Sequence, residues 1–424
     1  MKRKLLSLLL ALAMVLSLCS ASALAAGEEM TVPPRIQSEE NEAPSYGKEQ
    51  TEPSVQEHVD PAFIDTMNRF ALRSGAKLLA KKGGCYSPLS LYYALAIAAE
   101  GAQGQTAKEL YSVLGTDADA LGEQCPILYR RLNAEDGSTT LLMANSLWMD
   151  EEVGAEPVHF REEYLQRAQE RYYAEVFAVD FSDAATGEKM SQWVSEKTKG
   201  KLSFSLEPDD EQMLSILNTV YYKSAWENPF DKNNTKKAKF TLASGQKKKI
   251  KFMHRTEEGR SCKGKGYTAA SRALGSGRVT FYLPDKGVKV GSLLKKKDLF
   301  TAPRSKAKDC LLQWSVPKFK CESKWDAIPT LQKLGVKLAF TDDADFSALS
   351  DTPALITAID QGTRFDMNEK GAEAAAYTHI AMSKATAVMP QKRKTVKMNL
   401  NRPFLYTITS AEGAVLFVGV FDGK

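Results

Sequence analysis

The chain has no nucleophile elbow of the form GxSxG, no HExxH and no CxxC. The first absence removes the usual signature of a hydrolase serine. The other two remove the commonest zinc spacings, and His58, His159, His254 and His379 are isolated from one another. Neither a metal nor any other cofactor is implied. Six cysteines, at 19, 85, 125, 262, 310 and 321, form no disulfide framework. Scattered thiols in an exported chain suggest a reducing or anaerobic habitat, with one bridge left open. An excess of one charge is also missing. Fifty-seven basic residues against 52 acidic ones leave +5, which drops to +2 once Lys2, Arg3 and Lys4 are removed. That balance argues against nucleic acid or an anionic membrane as the partner. The basic runs Lys247–Lys251 and Lys295–Lys297 read as solvated turns, with a polyanion patch as the lesser reading.

What is present begins with an export signal. Lys2-Arg3-Lys4 is a positive leader, Leu5–Leu18 an apolar stretch, and Ala23-Leu24-Ala25 a small-x-small cleavage site. The apolar stretch is short for a membrane span, and no later run is long enough, so stable membrane insertion is not expected. Cleavage after Ala25 is the expectation; Cys19 offers a lipoprotein alternative, against which Leu18 is a poor match. Residues 26–57 are rich in Glu, Pro, Gln and Ser and read as a disordered linker. Residues 58–424 then form the folded part. The destination is secreted or extracellular, with retention at the cell surface as a variant.

Helical periodicity marks Pro61–Lys82, the segment opened by Ser87-Pro88, Gly104–Leu114, Phe160–Tyr173, Thr186–Thr198 and Asp326–Leu334. Strand patterns mark Leu141–Met149, Met213–Tyr222, Val279–Leu283 and Leu311–Phe319. A C-terminal hairpin turns through Glu412-Gly413. Helices dominate the first part and strands the second, without βαβ alternation. The class is therefore α+β with mostly antiparallel sheets.

One stretch resists propensity. Glu369–Thr378, EKGAEAAAYT, should be helical by its alanines and glutamates. Yet the strand-like TRFDM at 363–367 precedes it, and Lys384–Val396, a polar loop with Pro390, follows. Tiny residues between a strand and an exposed loop suit a segment that slips into an existing sheet. Side chains alternate along a strand. With Ala372 inward, Ala374, Ala376, Thr378 and Ile380 also face the core. Glu373, Ala375, Tyr377 and His379 then face solvent, and a one-residue slip would bury Glu373, Tyr377 and His379, which is worse.

The same stretch closes a set of motifs that resembles the serpins. SPLSLYYALAIAAEGAQGQTAKEL, ANSLW at 144–148, WVSEKTKGKL, LNTVYYKSAWENPF, VPKFKCES, LGVKLAFTDDADFSAL and NRPFLY match the family in order, from about His58 to the end. The resemblance implies three β-sheets, eight or nine helices and an exposed reactive-centre loop. It implies an inhibitor rather than an enzyme: a serine protease attacks the loop, forms an acyl-enzyme, and is trapped in a covalent 1:1 complex as the cut loop enters the main sheet. The inhibitor itself would be a monomer.

Family positions carry over singly. The hinge is Glu369, Lys370, Gly371, Ala372, Glu373, Ala374, Ala375, Ala376, Tyr377 and Thr378. Sixteen residues after Glu369, the reactive bond falls at Ala385–Thr386, which suits an elastase- or subtilisin-like protease. Counting back from Asn401-Arg402-Pro403-Phe404 points instead near Lys392, and Lys384 or Lys392-Arg393 would suit a trypsin-like enzyme. Ser87, Ser90 and Asn218 match the polar cluster where strands part, and Trp226 the aromatic where insertion begins. Gln361 replaces the family's usual histidine, and an amide can both donate and accept there. Ordinary core packing would also explain these five. The rival reading is a non-inhibitory serpin that binds a ligand or serves structurally; an exported hydrolase is the remote one.

Overall fold

The computed structural model describes residues 58–79, 83–153, 156–203, 205–207, 212–372 and 393–423. Among these, eight α-helices and three sheets are found, of nine, seven and two strands. The expected α+β class is observed, with several sheets; the third is only the short pairing of Glu152–Val153 with Glu156–Pro157.

Two sheets carry the core. The nine-stranded sheet ends in the hairpin Phe404–Thr409 and Val415–Phe421, paired from Phe404↔Phe421 to Thr409↔Val415. Every residue of both strands is buried. Strands buried on both faces read as unbroken apolar runs, which is why this hairpin was legible.

The seven-stranded sheet runs in the order Phe319–Asp326, Asp360–Met367, Gly371–Ala372, Leu214–Ala225, Thr139–Met149 and Ala134–Glu135; Ala174–Ala178 adds to Thr139–Met149 in parallel. Behind it lies the helix Pro88–Glu100. Ser87 caps this helix, its Oγ accepting from the Ser90 amide at 3.2 Å, and Pro88 fills the first turn. Twelve of the helix's 13 residues are buried, so it is packed all round.

Two expectations fail for identifiable reasons. The helix Ala118–Leu132 is absent from the sequence reading because Gly122 and Pro126 sit inside it; Asp117 caps its start through the Ala120 amide at 2.9 Å. Lys247–Lys251 is not a turn. It opens the 18-residue strand Lys247–Gly264, which pairs with Lys236–Thr241. Its alternation is carried by few apolar residues: Phe240 and Phe252 are buried and Ile250 half-buried, while the lysines point out.

Candidate functional site

The described part of the expected hinge lies where Asp360–Met367 turns through Asn368-Glu369-Lys370 and comes back as Gly371-Ala372. Met367 pairs with Ala372, and on the other side Gly371 pairs with Ala225 and Ala372 with Ser224. The approach at Gly371 is close. Its φ is 159°, and a Cβ there would lie 2.1 Å from the Ser224 carbonyl oxygen. Only glycine fits this crossing. Ala372 is fully buried, as the inward phase requires.

The turn is held on every side. The Asn368 amide donates to the Gly371 carbonyl at 3.0 Å, and the Lys370 amide to Asn368 Oδ1 at 2.9 Å. Trp226 donates twice, from its backbone to the Lys370 carbonyl at 2.8 Å and from Nε1 to the Asn368 carbonyl at 2.9 Å. The Phe230 amide donates to the Glu369 carbonyl at 2.9 Å. The Glu369 carboxylate takes Lys318 Nζ at 2.7 Å and Thr235 Oγ1 at 2.8 Å. Burial pushes its pKa up. Lys318, the backbone amide and Thr235 together outweigh that, and the group stays below the usual carboxylate range.

Arg272 props this turn from behind. Its guanidinium lies 4.8 Å from the Trp226 ring centroid and 4.0 Å from that of Phe230. Glu257 neutralises it, with Nε to Oε1 at 2.8 Å. A buried cation between two rings and one carboxylate fixes the indole that grips the hinge.

Eight residues along the same strand from Trp226, roughly 27 Å away at strand rise, lies the second group. Gln361 Oε1 accepts from the Ser87 amide at 2.9 Å, and its Nε2 donates to the Ser87 carbonyl at 2.8 Å. The amide thus donates and accepts at once. Ser90 Oγ donates to the Asn218 carbonyl at 3.3 Å. Asn218 Nδ2 donates to Asn145 Oδ1, and Asn145 Nδ2 to the Tyr172 carbonyl. Four of the five residues expected at the sheet opening therefore meet here, and Trp226 lies instead against the turn at 368–370.

Among the described residues, Asp360–Met367 and Leu214–Ala225 are joined only through Gly371-Ala372. A cleft lined by Ser87, Ser90, Asn218, Val220, Thr363 and others separates them further down. Asn218 Oδ1 and Thr363 Oγ1 are buried in this region without a hydrogen-bond partner. Unpaired buried oxygens are costly and mark a place that another donor could complete.

Sequence reasoning missed Asn145, Lys318, Thr235, Thr363 and Arg272 as parts of these groups. Asn145 and Lys318 lie inside matched motifs, ANSLW and VPKFKCES, without a spacing that singles them out. Thr235 and Arg272 carried no signal. The expected residues Glu373, Ala374, Ala375, Ala376, Tyr377 and Thr378, and the bond Ala385–Thr386 with its alternatives Lys384 and Lys392, lie outside the described residues. Arg393, at the far root, pairs with Glu258 at 2.6 Å. The five described cysteines are free thiols. Among the described residues, no group of three or more His, Cys, Asp or Glu could hold a metal, and no helix is long and apolar enough to cross a membrane.

Known proteins agree with this geometry. A family model described as serpin (serine protease inhibitor) matches residues 65–422. Serpin-Z1A of Triticum aestivum is 29% identical over 387 residues, covering 84% of this chain and 95% of its own. The native-state crystal structure of the thermophilic serpin tengpin superposes with a TM-score of 0.77 at 27% identity, covering 87% of this chain and 96% of that one. Serpin48 of the insect Tenebrio molitor gives 0.74 at 26%, covering 87% and 100%. With the family model matching most of its length, the chain belongs to the serpin family, whose members are protease inhibitors rather than catalytic enzymes.

Proposed function

We propose that the chain is a secreted, single-use inhibitor of an elastase- or subtilisin-like serine protease. It acts by cleavage at Ala385–Thr386, acyl-enzyme trapping and entry of the cut segment between Asp360–Met367 and Leu214–Ala225. The observation that carries this reading is that, among the described residues, the two halves of the sheet are bridged only by Gly371-Ala372. Continuing that register downward puts Ala374 between Phe365 and Tyr222, Ala376 between Thr363 and Val220, and Thr378 between Gln361 and Asn218. Phe365, Tyr222 and Thr363 are buried. Only small side chains fit beside two rings, which is what positions 374 and 376 supply. The Thr378 hydroxyl would arrive beside Asn218 Oδ1, the acceptor that lacks a donor.

The energy is adequate. About fifteen new backbone hydrogen bonds at roughly 0.5–1.5 kcal/mol each amount to a driving force on the order of 10 kcal/mol. That equals the stability of a typical domain, so the uncut form is metastable. Export rests on the leader at residues 1–25, residues 26–57 act as a spacer, and 58–424 form one inhibitory domain acting as a monomer. Balanced charge and the lack of a cofactor-binding motif support a protease as the sole partner.

The test is incubation with elastase- and subtilisin-type proteases, followed by denaturing electrophoresis and mass spectrometry. A covalent 1:1 complex and a released fragment beginning at Thr386 are expected. Clean cleavage without a complex overturns the inhibitory mechanism, and a fragment beginning at Ala385, Arg393 or Lys394 moves the specificity to trypsin-like enzymes.

A further inference from the structure

The hairpin of Lys236–Thr241 and the start of Lys247–Gly264 has a feature that folding alone does not call for. Lys237 stands directly opposite Lys251, and Lys239 directly opposite Lys249, with Lys247 next in the same row. All five side chains are exposed, while the other face of the hairpin buries Phe240 and Phe252. Directly opposed residues hold their Cβ atoms about 5 Å apart, where like charges repel. Among the described residues, none of the five has a carboxylate partner. The remaining lysine of the run, Lys248, donates to the Gly423 carbonyl at 3.1 Å and lies outside this row. A face that carries five unbalanced ammonium groups at a cost to its own stability suits a partner of opposite sign.

The hairpin's place in the fold says which partner. It is fastened to the hinge at two points: Thr235, next to its first residue, bonds Glu369, and the Lys318 amide donates to the Lys251 carbonyl at 2.9 Å while Lys318 Nζ pairs with Glu369. The sheet continues from Lys247–Gly264 through Lys308–Pro317 to Thr395–Asn399, and Glu258 of that first strand holds Arg393. The two described ends of the 373–392 segment thus each touch the lysine-bearing sheet or the residues flanking its strands, the turn at Glu369 through Thr235 and Lys318 and Arg393 through Glu258. A protease that engages the chain between these ends would do so close to points tied to this sheet. The row has neither arginine for bidentate contacts nor an aromatic ring for stacking, so it reads as a field of point charges.

We propose that the face formed by Lys237, Lys239, Lys247, Lys249 and Lys251 is a second docking surface for the target protease. It takes an acidic patch beside the protease's cleft and speeds encounter. This rests on the inhibitory reading above, and it decides which of several proteases that accept the same bait is captured first.

The test uses the full-length secreted chain and a panel of elastase- and subtilisin-type proteases, continuing with one that forms the covalent complex. Association rate constants are measured from 50 to 300 mM NaCl for the natural chain and for the double variant K239E/K251E. That variant turns both opposed pairs into attractive ones and lowers the face from five positive charges to a net of one. Steered association commonly gains ten- to a thousand-fold. The natural chain should therefore slow at least about tenfold across this salt range. The variant should be about tenfold slower at 50 mM and nearly indifferent to salt, with an unchanged yield of complex and a melting temperature equal or higher. K239Q/K251Q should fall between. Replacing acidic residues on the rim of the protease's cleft with lysine should erase the difference between the two inhibitors.

Equal rates for both inhibitors at every salt concentration overturn the docking surface while leaving inhibition intact. So does a rate difference that persists against the rim-altered protease, or dextran sulfate binding that needs the lysines while the rates do not. Failure to form a complex with any protease overturns the inhibitory reading and this surface with it.

Discussion

The two large sheets of this molecule are built to different standards. In the nine-stranded sheet, Phe404–Thr409 and Val415–Phe421 are buried at every residue, and the Phe319, Phe365, Phe404 and Tyr406 rings pack at centroid separations of 5.2–6.1 Å where this sheet meets the other. In the seven-stranded sheet, Leu214–Ile216 and Val220 are only half-buried. Among the described residues its central pairing is the two-residue bridge Gly371-Ala372. Four side-chain oxygens, of Asn218, Thr219, Thr363 and Asp366, are buried there without a partner, against two, of Tyr406 and Thr409, in the nine-stranded sheet, where Arg272 Nη1 and Trp314 Nε1 also lack one. In its central pairing the second sheet is thus unfinished and the first finished.

The widest separation between the two should come on cutting the bait. Calorimetry of the nicked chain should show a melting temperature higher by roughly 20 °C, given a driving force on the order of 10 kcal/mol and about 2 °C per kcal/mol for a domain this large. An unchanged value would mean that the unfinished sheet stays unfinished. Truncation in the finished sheet behaves differently. Phe417→Ala should cost about 3–5 kcal/mol, lowering both intact and nicked forms alike in denaturant titrations.

A charge placed in the descending register should separate folding from function. On the proposed mechanism residue 374 enters the sheet only after cleavage, so Ala374→Arg should leave the intact melting temperature within about 1 °C. It should abolish the covalent complex on denaturing gels and turn the chain into a substrate, since the guanidinium would have to pass between Phe365 and Tyr222. Gln361→Leu strips the Ser87 amide and carbonyl of their partners. About 2 kcal/mol of intact-state stability should be lost, read as a lower denaturation midpoint, while the nicked form loses less.

The smallest effect is a dependence on acidity at the hinge. Because the folded-state pKa of Glu369 is depressed, its contribution is present above the ordinary carboxylate range and is lost as pH falls through the folded value. Stability of the natural chain should therefore fall more steeply from about pH 5 downward than that of Glu369→Gln. The two curves should differ by about 1–2 kcal/mol at neutral pH. Parallel curves would show that the Lys318 pair contributes nothing.

The same contrast explains what could be read in advance. The finished sheet announces itself in the C-terminal apolar runs, and helices such as Gly104–Leu114, closed by Gly115, are delimited by local chemistry. The segment at Gly371 stood out in the sequence through an odd composition, one glycine and then small residues; of these small residues Ala372 is described, and it is buried. The braces around it were not legible. Lys318, Thr235 and Arg272 act through contacts with residues up to 134 positions away, as in the Thr235–Glu369 bond, and long-range pairing leaves no periodic trace. The lysine hairpin was hidden for another reason. Its alternation is polar on one side and sparse on the other, so a strand looked like a solvated bend.

Gly371 has one consequence beyond its own position. With the Ser224 oxygen 2.1 Å from where a methyl group would sit, even alanine there acts as a wedge driven between neighbouring strands at the point where they would first separate. The mildest possible enlargement of a side chain would thus prise the structure apart from its upper rim. The tolerance of this machine is set by the width of one hydrogen atom.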